Sequence, residues 1–319
     1  NGWGEGIQVI QSQGNWYAII VGGYGLSGSS PSIIKIEFGA NLANSSPIAT
    51  DWGNIGGAMN QPIDLHLFQD GANWYGFSTN AESNTLTRFN FGTDFADLPT
   101  VDDLGNIGGL FAYPTGVFAI NHNGDWKVFV VNGGDRTRST GTYALIRLDF
   151  ASSLLNTPIA VNLGNPGNLL QHPRDITILK SCGQIIGLAV NGHLGNSNIT
   201  KYDFSNDISA VPVATDLGNI GNLSFPHSVS QLFREGDNLY AFITNVDNNT
   251  ITRLQFGGCT NSSIPGTNLP NPPPITYDVP GVYNINLTID DGLPTQSSFC
   301  RNVVVVPEPV HKSIQTITI

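Results

Sequence analysis

Charge is scarce in this chain: Asp, Glu, Lys and Arg make up 12% of its 319 residues, and only 13 of them are cations. Those cations are isolated from one another, which excludes the clustered Lys/Arg needed to follow a phosphate backbone and so excludes nucleic acid as a partner. No apolar run approaches the ~20 residues that would span a bilayer. Helical periodicity over 10–15 residues is missing between the strand candidates, which excludes a parallel α/β fold. Methionine occurs once and cysteine three times, at Cys182, Cys259 and Cys300. An odd count cannot pair completely within one chain. Cys259 and Cys300 flank one C-terminal segment and are expected to form a disulfide, which leaves Cys182 as a free thiol in a turn. The chain begins Asn1-Gly2-Trp3 without an initiator Met, as expected of a processed or excised form.

What is abundant points one way. Gly (37) and Pro (19) supply turns in quantity, beside 40% apolar residues spread evenly enough to exclude disorder. This is the composition of an all-β chain with many short strands. The net charge of -11, the low Lys content and the richness in Asn, Ser, Thr and Gly favour a secreted or cell-surface location.

Internal repeats define the architecture. A heptapeptide recurs as Asp51-Trp-Gly-Asn-Ile-Gly-Gly57, Asp103-Leu-Gly-Asn-Ile-Gly-Gly109, Asn162-Leu-Gly-Asn-Pro-Gly-Asn168 and Asp216-Leu-Gly-Asn-Ile-Gly-Asn222, at spacings of 52, 59 and 54 residues. A block ending in Phe keeps the same period: Ile34-Lys-Ile-Glu-Phe38, Thr87-Arg-Phe-Asn-Phe91, Ile146-Arg-Leu-Asp-Phe150, Thr200-Lys-Tyr-Asp-Phe204 and Thr252-Arg-Leu-Gln-Phe256. Each copy holds four strand candidates, in the second copy about 64–69, 74–79, 85–91 and 99–102. Four antiparallel strands in some 50 residues is the unit of a β-propeller blade. Five repeats are visible over residues 1–278, with residues 274–278 expected to complete the fifth blade. The count becomes six if a C-terminal hairpin joins the ring.

After Phe256 the repeat breaks. Residues 276–290, with Tyr277, Pro280-Gly281 and Tyr283, and then Cys300-Arg-Asn-Val-Val-Val-Val306, resemble the second half of a polycystic-kidney-disease (PKD) type β-sandwich module. That fragment is expected at 279–306, or from about 257, with 307–319 a linker or the start of another module. Together with the Asp-Leu-Gly-Asn repeats, the chain resembles large surface proteins of Bacteroidota exported by the type IX (gliding-associated) secretion system. The resemblance implies secretion or surface display, adhesion or assembly within a larger chain, and no catalysis.

Loops gathered on one face of a propeller are the usual place for binding. Aligning the copies puts Asn80, Asn132, Asn191 and Asn245 at one position, where their amides could ring the channel and bond sugar hydroxyls or cap their own turns. The innermost strands begin with a proline and carry flanking residues that vary between copies: Tyr113, His172, Arg174, Asp175 and His227. A long loop adds Asp135 and Arg136. The recurring cation (Lys35, Arg88, Arg147, Lys201, Arg253) is expected to bridge strands or blades. Asn121–Asp125 and Asp247–Asn249 carry only a trace of a Ca²⁺ loop, and no metal or other cofactor is expected. The reading is a non-enzymatic module that binds a glycan or protein. Its alternatives are a passive structural module and a glycoside hydrolase, the latter using Glu5, Asp64 and Asp175 at the channel mouth.

Overall fold

The structure, a computed structural model, describes residues 3–24, 30–135, 141–181, 184–193, 195–235, 238–257, 269–289 and 297–306. The repeats fold as a five-bladed propeller. Blade 1 is β1 (Trp3–Ser12), β2 (Asn15–Tyr24), β3 (Ser32–Gly39) and β4 (Ile48–Gly53). Blade 2 is β5 (Pro62–Asp70), β6 (Asn73–Asn80), β7 (Thr85–Gly92) and β8 (Thr100–Asp103). Blade 3 is β9 (Pro114–His122), β10 (Asp125–Asn132), β11 (Ala144–Ala151) and β12 (Ile159–Asn162). Blade 4 is β13 (Pro173–Ser181), β14 (Gln184–His193), β15 (Asn196–Asp203) and β16 (Val213–Asp216). Within each, consecutive strands pair antiparallel from the channel outward.

Blade 5 departs from this plan. Its inner strand is broken into β17 (Pro226–Val229) and β18 (Phe233–Glu235), both paired with β19 (Asn238–Asn245), which pairs in turn with β20 (Thr250–Gly257). Among the described residues no fourth strand lies outside β20. Residues 274–278, expected there, run as irregular, largely exposed chain instead. Pro272 and Pro273 precede them and Pro274 begins them, and none has an N–H to give a sheet edge. A two-stranded hairpin follows, β21 (Gly281–Ile289) with β22 (Ser297–Val305), and the Tyr277 and Tyr283 rings pack with centroids 4.4 Å apart. A second sheet to make a PKD-like sandwich is not seen among the described residues.

The heptapeptide is the corner between blades. Its first residue accepts from the glycine two positions on (Asp51 from Gly53, 2.8 Å; Asp103 from Gly105, 2.9 Å; Asn162 from Gly164, 2.8 Å; Asp216 from Gly218, 2.8 Å). Its Asn then clamps the chain ahead: Asn54 bonds both the N–H and the C=O of Met59, Asn106 those of Phe111 and Asn165 those of Leu170. The sixth residue lies in the left-handed region (Gly56 φ 63°, Gly108 φ 65°, Gly167 φ 65°), which a side chain would strain.

Three of the recurring cations tie a blade to the next, while Arg253 lies over the Tyr240 ring of its own blade. Lys35 donates to the Phe95 carbonyl (3.0 Å), Arg88 to that of Leu154 (2.5 Å) and Arg147 to that of Ser209. Four apolar clusters fill the interfaces between successive blades, centred on Phe89 and Phe95 (blades 1–2), Phe77 and Phe150 (2–3), Phe129 and Tyr202 (3–4), and Val190 and Ile243 (4–5). All three cysteine side chains lie outside the described residues, and with them the expected disulfide. No helix among the described residues is long and apolar enough to cross a membrane.

Candidate functional site

Each innermost strand begins with an irregularity in its pairing, between Gly4 and Gly6, Pro62 and Leu65, Pro173 and Asp175, and Pro226 and Ser228. Such bulges re-aim side chains and gather beside active sites. With the strands aligned on this register, one ring position is filled by Gly6, Asp64, Gly116, Asp175 and Ser228. The residue before it is Glu5, Ile63, Thr115, Arg174 or His227. Glu5 is therefore offset by one residue from the two aspartates.

Asp64 and Asp175 come from blades 2 and 4, yet their side chains line the same cavity. Blade 3 leaves room because Gly116 stands between them. A Cβ there would sit 2.6 Å from the Asp175 Cα and 2.8 Å from the Ile176 nitrogen. Gly6 does the same against blade 2, where a Cβ would meet the Leu65 nitrogen at 2.7 Å. Both carboxyls also reach sideways. Asp64 accepts from the Leu65 N–H (2.7 Å) and from the Val117 N–H of blade 3 (2.8 Å). Asp175 accepts from Ile176 N–H (2.6 Å), Val229 N–H of blade 5 (2.7 Å) and Ser228 Oγ (2.9 Å).

Two carboxyls buried together cannot both ionise cheaply. Burial first, and then the charge of Asp175, hold the Asp64 carboxyl well above the usual carboxylate range. Burial pushes Asp175 up to about 6 against the opposing pull of its three donors, Val229, Ser228 and Ile176. Their common burial thus holds both carboxyls above the ordinary carboxylate range. Glu5 is also raised by burial, with the Arg174 guanidinium pulling the other way. His227 Nε2 lies 3.4 Å from the Glu5 carboxylate and against the Arg174 guanidinium. Arg174 also lies over the Phe225 ring at 5.8 Å.

His66, one ring layer deeper, was not among the expected site residues. Its Nδ1 accepts from the Ala119 N–H of blade 3 (2.8 Å), so the proton of the neutral ring sits on Nε2, and the ring stacks on Phe118 at 4.1 Å. Burial lowers its pKa to about 3. Gln8, at the same place in blade 1, bonds the Leu67 N–H and C=O of blade 2. That shared position was the available signal.

The structure brings together Glu5, Asp64, Arg174, Asp175 and His227. It does not place the four asparagines with them. Asn80, Asn191 and Asn245 are buried, each accepting from the backbone of the loop before its blade (Asn60, Gln171, Ser224) and donating to threonines of the third strand. Asn132 is buried as well and donates to the Leu110 carbonyl (2.8 Å). Tyr113 and His172 take positive φ at the turns before their inner strands (52° each), with the Tyr113 hydroxyl bonded by Gln61 and His172 Nδ1 against the Gly133 carbonyl. Asp135 is half-buried in its loop, and Arg136 lies outside the described residues. No group of three His, Cys, Asp or Glu able to hold a metal ion occurs among the described residues. The Asn121–Asp125 loop is a hairpin turn in which Asn121 accepts from Gly124.

No family model and no curated protein matches the chain. Solved structures share its fold. The catalytic domain of a GH62 α-L-arabinofuranosidase from Coprinopsis cinerea superposes with a TM-score of 0.52 at 13% identity, over 80% of this chain and 92% of that one. An α-L-arabinofuranosidase from Podospora anserina in complex with cellotriose gives 0.51 at 13% identity, over 79% and 89%. A glycosyl hydrolase from Bacteroides ovatus gives 0.51 at 9%, over 81% and 85%. These likenesses correct the expectation of a non-enzymatic adhesion module. The solved structures that share this propeller are glycosidases by their descriptions.

Proposed function

We propose that the chain is a glycoside hydrolase whose reaction is carried by Asp64 and Glu5. The observation that supports this most is the gathering of three carboxyls from three blades, Asp64 and Asp175 on one cavity beside Gly116 and Glu5 against His227 and Arg174. Glycoside hydrolysis needs one carboxyl that is protonated near neutrality and another that is ionised. Asp64 keeps its proton and, with part of its surface open, is the general acid that protonates the glycosidic oxygen. Glu5, beside the Arg174 guanidinium and His227, is the carboxylate that takes a proton from the attacking water. Asp175 is a positioning residue: it is only 4% exposed, and its donors from blades 4 and 5 fix its carboxyl on the cavity that Asp64 also lines.

The substrate class this reading favours is a glycan with arabinofuranosyl or related pentose units, by analogy with the structures that share the scaffold. The test is hydrolysis of 4-nitrophenyl α-L-arabinofuranoside, 4-nitrophenyl β-D-xyloside and arabinoxylan by the purified chain. Asp64→Asn and Glu5→Gln should each lower the rate by about 10²–10⁴-fold, the usual worth of a general acid or base. A folded protein inactive on all three, or equal activity in both variants, overturns the reading.

Secretion or surface display belongs to the same proposal. The acidic, Lys-poor, Asn-rich composition supports it, and fractionation of the producing cells tests it.

A further inference from the structure

Five blades in a ring require five interfaces, and the apolar clusters fill four of them. At the fifth, between blades 5 and 1, the facing side chains stay open: Ile7 is 62% exposed, Val9 45% and Phe242 41%. The same positions in the neighbouring blades, such as Leu65, Leu67 and Phe129, are buried. The break in the inner strand of blade 5 enlarges the opening. Between Val229 and Phe233, three residues oppose two on β19, so Ser230, Gln231 and Leu232 leave the regular ladder. One cavity of about 390 Å³ joins this seam to the channel, with Asp64, Asp175 and Ser228 at one end and Val9, Thr177, Gln231, Phe233 and Phe242 along its length. That volume falls within the roughly 300–1,000 Å³ of small-molecule sites.

The wall chemistry is specific. Phe233 stacks between Tyr240 and Phe242, at 5.8 Å to each ring, which makes an aromatic platform on the blade 5 side. Thr177 and Gln231 line the cavity, and Thr177 Oγ1 and Gln231 Nε2, buried in its wall, have no bond of their own among the described residues. A buried hydroxyl without a partner is costly. A flat aromatic face beside a few unsatisfied hydroxyl and amide groups suits a ring with apolar C–H faces and equatorial hydroxyls.

We propose that the seam between blades 5 and 1 is a second sugar-binding site, in which a neutral furanose or pyranose ring lies on Phe233 and Phe242 and bonds Thr177 and Gln231. It rests on the glycoside hydrolase reading for its choice of ligand. It extends that reading by giving the substrate chain a lateral path, between blades, to the Asp64 carboxyl.

The experiment is titration of the whole chain with L-arabinose, D-xylose and xylobiose, followed by NMR line broadening or calorimetry, in the parent, Phe242→Ala and Thr177→Val proteins. Thr177→Val removes an unbonded hydroxyl without changing side-chain shape and should not lower Tm, whereas Phe242→Ala gives up packing on Phe233 and should lower Tm slightly while leaving the protein folded. Sugar affinity should nevertheless fall, by about tenfold for Phe242→Ala. Unchanged affinity in both variants, or no binding of any of the three sugars, overturns the proposal. If the chain hydrolyses glycosides while both variants keep parental KM and sugar affinity, the seam site fails and the hydrolase reading stands. If sugars bind and are lost in these variants but no glycoside is cleaved, the seam site stands and the hydrolase reading fails.

Discussion

The side chains of Asp64 and Asp175 line one cavity beside Gly116, so that two blades that are not neighbours bring their carboxyls together in front of a third. Each carboxyl also bonds the backbone of the blade ahead of it, Asp64 at Val117 and Asp175 at Val229. The chemistry of the site and the closure of the ring therefore depend on the same two side chains.

Stability should depend on pH through this pair. Both folded-state pKa values are raised, that of Asp175 from 3.8 to about 6 and that of Asp64 well above 3.8. A raised acid favours the folded state fully below its unfolded pKa, and that contribution is lost as pH rises through the folded value. Urea midpoints should therefore fall between pH 4 and pH 8, and Asp64→Asn, which removes one titration, should flatten the decline. An equal decline in parent and variant would exclude the pair as its source.

His66 acts in the opposite direction. Its pKa is lowered from 6.5 to about 3 by burial, so its contribution is present above pH 6.5 and lost as pH falls toward 3. His66→Gln keeps an acceptor for the Ala119 N–H and should be less acid-sensitive than the parent. The check is the parent-minus-variant difference in unfolding free energy at pH 6.5 and pH 4, which should shrink on acidification.

Gly116→Ala should be severely destabilising, because the new Cβ meets backbone rather than a movable side chain. A loss of about 1–3 kcal/mol or more is expected. Gly187→Ala is the control. Its Cβ would find neighbours at 3.5 Å, an ordinary contact, and its stability should stay within about 1 kcal/mol of the parent. Thermal unfolding of both variants checks the contrast.

Arg147 should matter for the fold and not for the chemistry. It is 6% exposed, pairs with Asp149 (2.8 Å) and bonds the Ser209 carbonyl of the next blade. Arg147→Met removes the donor to the Ser209 carbonyl and leaves Asp149 with Lys127 alone, and should cost about 1–3 kcal/mol, with KM and kcat unchanged in the protein that remains folded.

Much of this fold was readable in the repeats. The Asp-Leu-Gly-Asn corner needs an acceptor, a left-handed glycine and a clamping amide at fixed spacing, and the cross-blade cation sits at one strand position, so both recur as motifs. The site was less legible. Glu5 stands one residue before the ring position that Asp64 and Asp175 fill, so an alignment of the copies does not put the three together. Gly6 and Gly116 matter through the side chains they lack, which no motif records. The recurring asparagines could ring the channel or cap their own turns, and they prove to brace the preceding loops from the interior, since an amide that satisfies a turn and one that meets a ligand look alike in sequence. The open seam follows from a single extra residue in the inner strand of blade 5 and from prolines where an outer strand was expected.

The most direct measurement is the rate of 4-nitrophenyl α-L-arabinofuranoside hydrolysis by parent and Asp64→Asn proteins, both shown to be folded by their unfolding transitions. Turnover by the parent that falls at least about 10²-fold in the variant is the expected result. Equal rates in the two proteins would contradict the assignment of Asp64 as the general acid.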